Sequence, residues 1–243
     1  MKFIIKETYE EISSTAANII ADVIREKPEA VVALPTGSTP VGALEKLADM
    51  HQKEGLDFSR VTSFNIDEYV SLPKDDPQGY YYYLYHHLYK KINIDLNKTY
   101  VPDVLAEDKE KACADFNEKL GQCGGLDVIF LGIGTDGHIG FNLPHKNKLQ
   151  AFTHLQQMNE ETIKANSRFF DSIDDVPKQA ITMGIANILQ ARKIVLVANG
   201  QGKAQIVAKL SRQKTLETDF PASMLLLHKD VTVILDKAAA QMI

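Results

Sequence analysis

Residues 126–142 read LDVIFLGIGTDGHIGFN, and the junction inside this stretch points to the fold class. The run over 126–131, apolar but for Asp127, is the pattern of a strand buried on both faces of a parallel sheet. It empties at once into a turn holding Gly132, Gly134 and Gly137, with Asp136 and His138 set among them. Glycines let a backbone turn tightly and come close to a ligand. An acid and an imidazole at the carboxyl end of such a strand stand where open α/β sheets bind their ligands.

Working outward, short apolar runs alternate with longer amphipathic ones, the signature of repeated βαβ units. Strands are expected over 3–5, 30–34, 61–66, 126–131, 193–198 and 231–235. Helices are expected over roughly 8–27, 40–54, 78–91, 107–121, 179–191 and 202–212. Segments 142–160 and 211–222 read as surface stretches of ambiguous structure. No repeat, low-complexity tract or long Pro/Gly linker divides the chain, so one α/β domain over 1–243 is expected.

Composition narrows the function. A chain of 243 residues, 44% of them hydrophobic, can bury a large core. Its net charge of −5 argues against a nucleic-acid or polyanion surface, while leaving room for a local positive pocket. Cys113 and Cys123 lack the paired spacing of a zinc site and are too few for a disulfide framework, so two reduced thiols are expected. No apolar run has the length of a membrane span, and MKFIIKETYEE lacks a signal-peptide core. A soluble, cytoplasmic protein with no membrane or nucleic-acid partner is the expectation.

Three further turns carry chemistry. PTGSTP (35–40) follows an expected strand and precedes a helix. Thr36, Ser38 and Thr39 supply hydroxyls and amides there, and Gly37 permits close approach, a combination suited to an anion. The same residues also suit simple helix capping with Pro40 in the first turn. It is not a nucleotide P-loop, since no lysine follows at the required spacing. In SFNIDEYVSLP (63–73), Asp67 and Glu68 come directly after an expected strand. Adjacent carboxylates point apart, so at most one faces a pocket, where it can act as a base toward a carbon-bound proton. In VANGQGKA (197–204), Lys203 at a helix start can meet a phosphate oxygen, and Arg168 in KANSRFFD (164–171) offers a planar fork for the same purpose. The aromatic run GYYYYLYHHLYKK (79–91) puts Tyr81, Leu84, Tyr85 and Leu88 on one helix face, which suits core packing with polar tips reaching a cleft. No second cluster of acids or histidines stands at ligand spacing, so no metal is expected.

Together LPTGSTP, FNIDEYVSLP, LGIGTDGHIGFN, ANSRFFD, VPKQAITMGI and PASMLLLH…VILD resemble the glucosamine-6-phosphate deaminase (isomerase) family over nearly the whole chain. The related 6-phosphogluconolactonases share the first and third turns. They usually carry Asp-Glu-Arg where this chain has Asp67, Glu68 and Tyr69, and they lack the ANSRFFD and VPKQAIT segments. The resemblance implies a Rossmann-like, three-layer α/β/α fold with a mostly parallel sheet, and a reaction without metal or cofactor. It implies a sugar-phosphate substrate whose ring opens, whose C2 proton moves to C1, and whose C2 ammonia leaves by hydrolysis. By match to the motifs, Asp67 would shuttle the proton. His138 would open the ring, oriented by Asp136. The phosphate would sit among Thr36, Gly37, Ser38, Thr39, Arg168 and Lys203, a remote handle that positions the reacting carbons.

One position departs from that pattern. Relatives typically read GHIxFNEP, with the Glu in the ring-opening relay, whereas this chain reads GHIGFNLP and holds Leu143. Leucine moves no proton. Either His138 and Asp136 suffice, or His145 or another group takes over, or the substrate differs. Galactosamine 6-phosphate, a lactone, or binding without turnover are the alternatives that this change leaves open. Monomer and homo-oligomer both remain compatible with the sequence.

Overall fold

The computed structural model describes residues 1–243, the side chains of Ala165 and Phe169 excepted. The first half runs β1 (Lys2–Lys6), α1 (Tyr9–Glu26), β2 (Val31–Leu34), α2 (Val41–Glu54), β3 (Thr62–Asn65), β4 (Asp67–Tyr69), α3 (Tyr80–His87), β5 (Thr99–Tyr100) and α4 (Lys109–Gln122). The second half runs β6 (Val128–Leu131), β7 (His154–Gln157), α5 (Glu160–Asn166), β8 (Gln179–Thr182), α6 (Ile185–Leu189), β9 (Lys193–Ala198), α7 (Ala204–Arg212), β10 (Val231–Asp236) and α8 (Lys237–Ala240).

Seven strands form a parallel sheet in the order β1-β10-β9-β6-β2-β3-β5. The reason lies in β6. Val128 and Phe130 face one apolar cluster, which also takes side chains of α1, α2 and α3. Ile129 and Leu131 face the other, with side chains of α4, α6, α7 and α8. Both faces are dry, so the strand sequence is apolar at successive positions instead of alternating. Three layers result, as the resemblance implied. Local sequence supports the helices: Thr8 and Glu11 form a reciprocal capping box on α1, and Asp108 caps α4.

The strand order also locates a crevice. From β2 the chain proceeds outward through β3 to β5, while β6 leads the other way through β9 to β10. β2 and β6 are neighbours, so the order reverses between them, and ligands bind at the carboxyl ends of strands flanking such a point. The turns after β2 and β6 are PTGSTP and GIGTDGH.

Four expectations need correction. The helix expected over 179–191 is a strand followed by a short helix: β8 pairs antiparallel with β4 and β7 in a second sheet, and only Ile185–Leu189 is helical. Ala180 and Ile181 are fully buried by that pairing, which outweighs their local helical pattern. Asp67 therefore lies not in a turn but at the start of β4, one residue beyond β3. The ambiguous stretch 142–160 contributes β7, and 211–222 contributes Phe220, which is fully buried. The aromatic helix is shorter than expected, ending at His87 before a turn of 3-10 helix at Tyr89–Lys91. Its Leu84 and Leu88 are buried, with Tyr81 and Tyr85 partly so, on the face the spacing indicated.

Candidate functional site

The turn after β6 is built around its histidine. Nδ1 of His138 lies 2.7 Å from Oδ1 of Asp136, and the same oxygen accepts the backbone N–H of His138 at 3.1 Å. The close side-chain contact lies off the N–H axis and is not an aligned hydrogen bond. It still directs Nε2 as the ring nitrogen that is left to work. Burial opposes the Asp136 charge, but the His138 side chain and amide outweigh it and hold the carboxyl below its ordinary range. Gly134 makes room for the pair: a Cβ there would lie 2.3 Å from the His138 ring and 2.6 Å from Asp136 Oδ1. Gly137 takes φ +90°, and a Cβ would meet the Phe220 ring at 2.2 Å. Phe220 thus forms the floor of the turn, and the amide of Ala222 holds the Gly137 carbonyl at 2.9 Å. Sequence reasoning missed this support, because its residues lie some eighty positions downstream.

Of the adjacent acids, Glu68 is used by the fold. Its carboxylate accepts the amides of Tyr69, Tyr80 and Tyr81 at 2.9, 2.8 and 2.7 Å, which fixes the N-terminus of α3 on β4. Asp67, 8% exposed, accepts no hydrogen bond from a described group. Burial, and then the charge of Glu68, push its carboxyl up to about 8. A carboxylate lacking donors in a dry site is a stronger base than one in water. Asp67 pairs with Thr182, whose Oγ1 accepts the amide of Phe141 at 3.0 Å. The strand carrying Asp67 and the turn carrying His138 therefore meet at Thr182.

Lys203 and Arg168 stand near the His138 turn, and Thr39 ties the 35–40 turn to the turn that precedes Lys203. Nζ of Lys203 donates to the Ile133 carbonyl at 2.6 Å, inside the His138 turn. Burial draws the Lys203 amine down; the nearby Asp136 charge opposes this and that of Arg168 adds to it. Lys203, Asp136 and Arg168 thus share one electrostatic neighbourhood. The Arg168 segment is anchored by Asn166, which donates to the Tyr69 hydroxyl at 2.8 Å, and by Phe170, packed on the Tyr69 ring. Thr39 Oγ1 donates to Asn199 Oδ1 at 2.7 Å and so ties the turn after β2 to the turn after β9. Its proton is spent on the protein, although its oxygen can still accept. Gly37 takes φ +103°, which only glycine adopts without strain. Thr36 and Ser38 lie in the same turn. Asn65, at the carboxyl end of β3, buries both amide atoms without a described partner, so hydrogen-bonding capacity is left unused near that end.

Leu143 is buried, 7% exposed. His145 is exposed, and its Nδ1 accepts the amides of Asn147 and Lys148 at 3.1 and 3.2 Å. That ring closes its own loop, and no described contact joins it to His138.

Known proteins resemble the chain over its whole length. Residues 5–234 match the family model described as glucosamine-6-phosphate isomerases/6-phosphogluconolactonase. A glucosamine-6-phosphate deaminase of Halothermothrix orenii is 47% identical over the full length of both chains, and one of Clostridium perfringens is 46% identical, also over the full length of both. The solved structure of a monomeric glucosamine-6-phosphate deaminase superposes with a TM-score of 0.95 at 43% identity, each chain covered completely. A 6-phosphogluconolactonase from Thermotoga maritima superposes with a TM-score of 0.75 at 19% identity, with 97% of this chain and 99% of that one covered, and shares the fold.

Proposed function

As the chain belongs to the glucosamine-6-phosphate isomerase/6-phosphogluconolactonase family, we propose that it is a deaminase, converting glucosamine 6-phosphate and water to fructose 6-phosphate and ammonia. What supports this reading is two unlike proton carriers on segments that meet at Thr182: a buried carboxyl without described donors, and an imidazole held against a carboxylate. A lactone hydrolase needs a base for water. It has no use for a second base matched to a carbon acid.

The chemistry then divides as follows. His138, through Nε2, moves the proton between the anomeric hydroxyl and the ring oxygen, breaking the C1–O5 bond to give the open aldehyde. The aldehyde acidifies the C2–H bond. Asp67 removes that proton, the electrons move into a C1–C2 double bond, the carbonyl oxygen takes up a proton, and the enolamine forms. Returning the proton to C1 leaves an imine at C2, to which water adds and from which ammonia departs. Lys203, Arg168 and the amides of the 35–40 turn hold the phosphate, whose binding energy positions C1 and C2.

Leu143 supports the ring-opening assignment falling on His138 and Asp136, since His145 is committed to its loop. The test is run in deuterium oxide. Fructose 6-phosphate formed by the parent protein carries deuterium at C1, whereas product without C1 deuterium after full exchange time contradicts Asp67 as a solvent-exchanging base.

A further inference from the structure

A tyrosine hydroxyl has one proton to give, and two in this protein give theirs to the same turn. Tyr83, on α3, donates to the Gly37 carbonyl at 2.6 Å. Tyr9, the first residue of α1, lies 3.2 Å from the Ser38 carbonyl and 3.0 Å from the Thr39 carbonyl, and accepts the amide of Gly42 at 2.9 Å. With the acceptor side taken by Gly42, its proton is shared between the two carbonyls. Three consecutive carbonyls are therefore drawn toward two phenols from different helices.

The peptide bond turns this into an orientation of donors. All peptides in the chain are trans, so the N–H of each residue points opposite to the carbonyl before it. Pulling back the carbonyls of Gly37 and Ser38 aims the amides of Ser38 and Thr39 to the other side of the turn. Neither amide donates to a described group. Thr39 contributes no further amide, because Pro40 has none. We propose that Tyr9 and Tyr83 are positioning residues for the phosphate end of the substrate, holding the carbonyls of Gly37, Ser38 and Thr39 back so that the Ser38 and Thr39 amides face the anion.

Both phenols are themselves held. Burial pushes the Tyr83 hydroxyl up, beyond the range in which it would lose its proton, so it stays a donor. Its helix is docked on β4 by Glu68, next to Asp67, which sets the distance between phosphate turn and base through α3. Tyr9 is placed by a tight crossing of α1 and α2, where a Cβ on Gly42 would lie 2.4 Å from Ser13 Oγ and 3.0 Å from the Tyr9 ring. Left alone, a turn whose carbonyls faced the pocket would repel a phosphate. The phenols stabilise the orientation that attracts it.

This inference rests on the phosphate-handle reading above, and its test separates the two. Tyr9→Phe, Tyr83→Phe and the double variant keep the rings and remove only hydroxyls. Dissociation constants for inorganic phosphate are measured by calorimetry, with KM, kcat and Tm alongside, and Lys203→Ala as the control for the handle. Each hydroxyl lost should weaken phosphate binding roughly three- to tenfold, the worth of one hydrogen bond. KM should rise by the same factor while kcat stays within about twofold, since the phosphate is bound equally before and during the reaction. A lower Tm with unchanged phosphate affinity makes the phenols merely structural and overturns the proposal, as does a fall in kcat at constant KM. If Lys203→Ala loses phosphate while both phenylalanine variants keep it, the proposal fails and the handle stands. If the parent binds no phosphate, both fall.

Discussion

Asp67 sits at the start of β4 with its carboxyl buried, without a donor among the described residues, and pushed up to about 8. Two consequences follow at the scale of this one residue. If Asp67 is the base, its carboxyl is mostly protonated below that value in the free protein, so kcat/KM should rise with pH toward a plateau beyond about 8. The same shift is a stability statement. A carboxyl that keeps its proton in the folded state, while the unfolded chain loses it near 3.8, favours folding at low pH. That contribution is complete below the unfolded value and is lost as pH rises through the folded one. Asp67→Asn has no proton to lose. Turnover should fall at least about 10²-fold, while Tm at pH 8–9 should exceed that of the parent by a few degrees, roughly 1 kcal/mol. A variant that is slow but no more stable at high pH than the parent contradicts the buried, donor-free environment. The chemistry-bearing residue types were legible in the sequence because Asp67, Asp136, His138 and Lys203 stand beside strand ends or helix starts. The tyrosine hydroxyls were not, since nothing in the run GYYYYLYHHLYKK says which phenol reaches Gly37.

At the scale of elements, the second sheet is what ordinary sequence patterns hid. β4 and β7 read DEY and HLQQ, too short and too polar to stand out as strands, and their partner β8 lies more than a hundred positions beyond β4. Only the tertiary pairing makes them strands. α3 depends on that sheet too, because Glu68 on β4 satisfies the amides at its start. Glu68→Gln replaces an all-acceptor group by one whose NH₂ must confront an amide. It should cost about 1.5–3 kcal/mol, as for hydrogen bonds to a charged group, read as a lower Tm. The variant also removes a like charge beside Asp67, so the rise of kcat/KM should move to lower pH. A limb that stays in place would show that Glu68 does not bear on the base. The loop after β6 is the other element at issue. Leu143 is buried, and a carboxyl forced into its place would have its pKa raised by desolvation. Leu143→Glu should therefore lower Tm, by roughly 2 kcal/mol or more for an unpaired buried polar group, without raising turnover. Higher turnover at unchanged Tm would mean that the pocket still has the family geometry and lacks only one relay group.

Across the whole molecule, the site follows from strand order. Six of the seven strands of the large sheet were foreseeable from short apolar-rich runs; β5, at two residues, was not. The reversal between β2 and β6 then brings the PTGSTP turn and the histidine turn side by side, and the turn after β9 adds its lysine from the next strand over. The relatives at 46–47% identity carry the name glucosamine-6-phosphate deaminase, while this chain holds Leu143 where the family pattern stated above has a Glu. Whether the remaining His138–Asp136 pair and Asp67 suffice for turnover is therefore the central claim. It is tested most directly by measuring ammonia released from glucosamine 6-phosphate and galactosamine 6-phosphate in parallel, with hydrolysis of 6-phosphogluconolactone as the third arm. Stoichiometric ammonia and fructose 6-phosphate from the glucosamine ester, with little hydrolysis of the lactone above its spontaneous rate, is the predicted result. Lactone hydrolysis without ammonia from either amino sugar, or tight binding of the glucosamine ester with no ammonia at all, would contradict it.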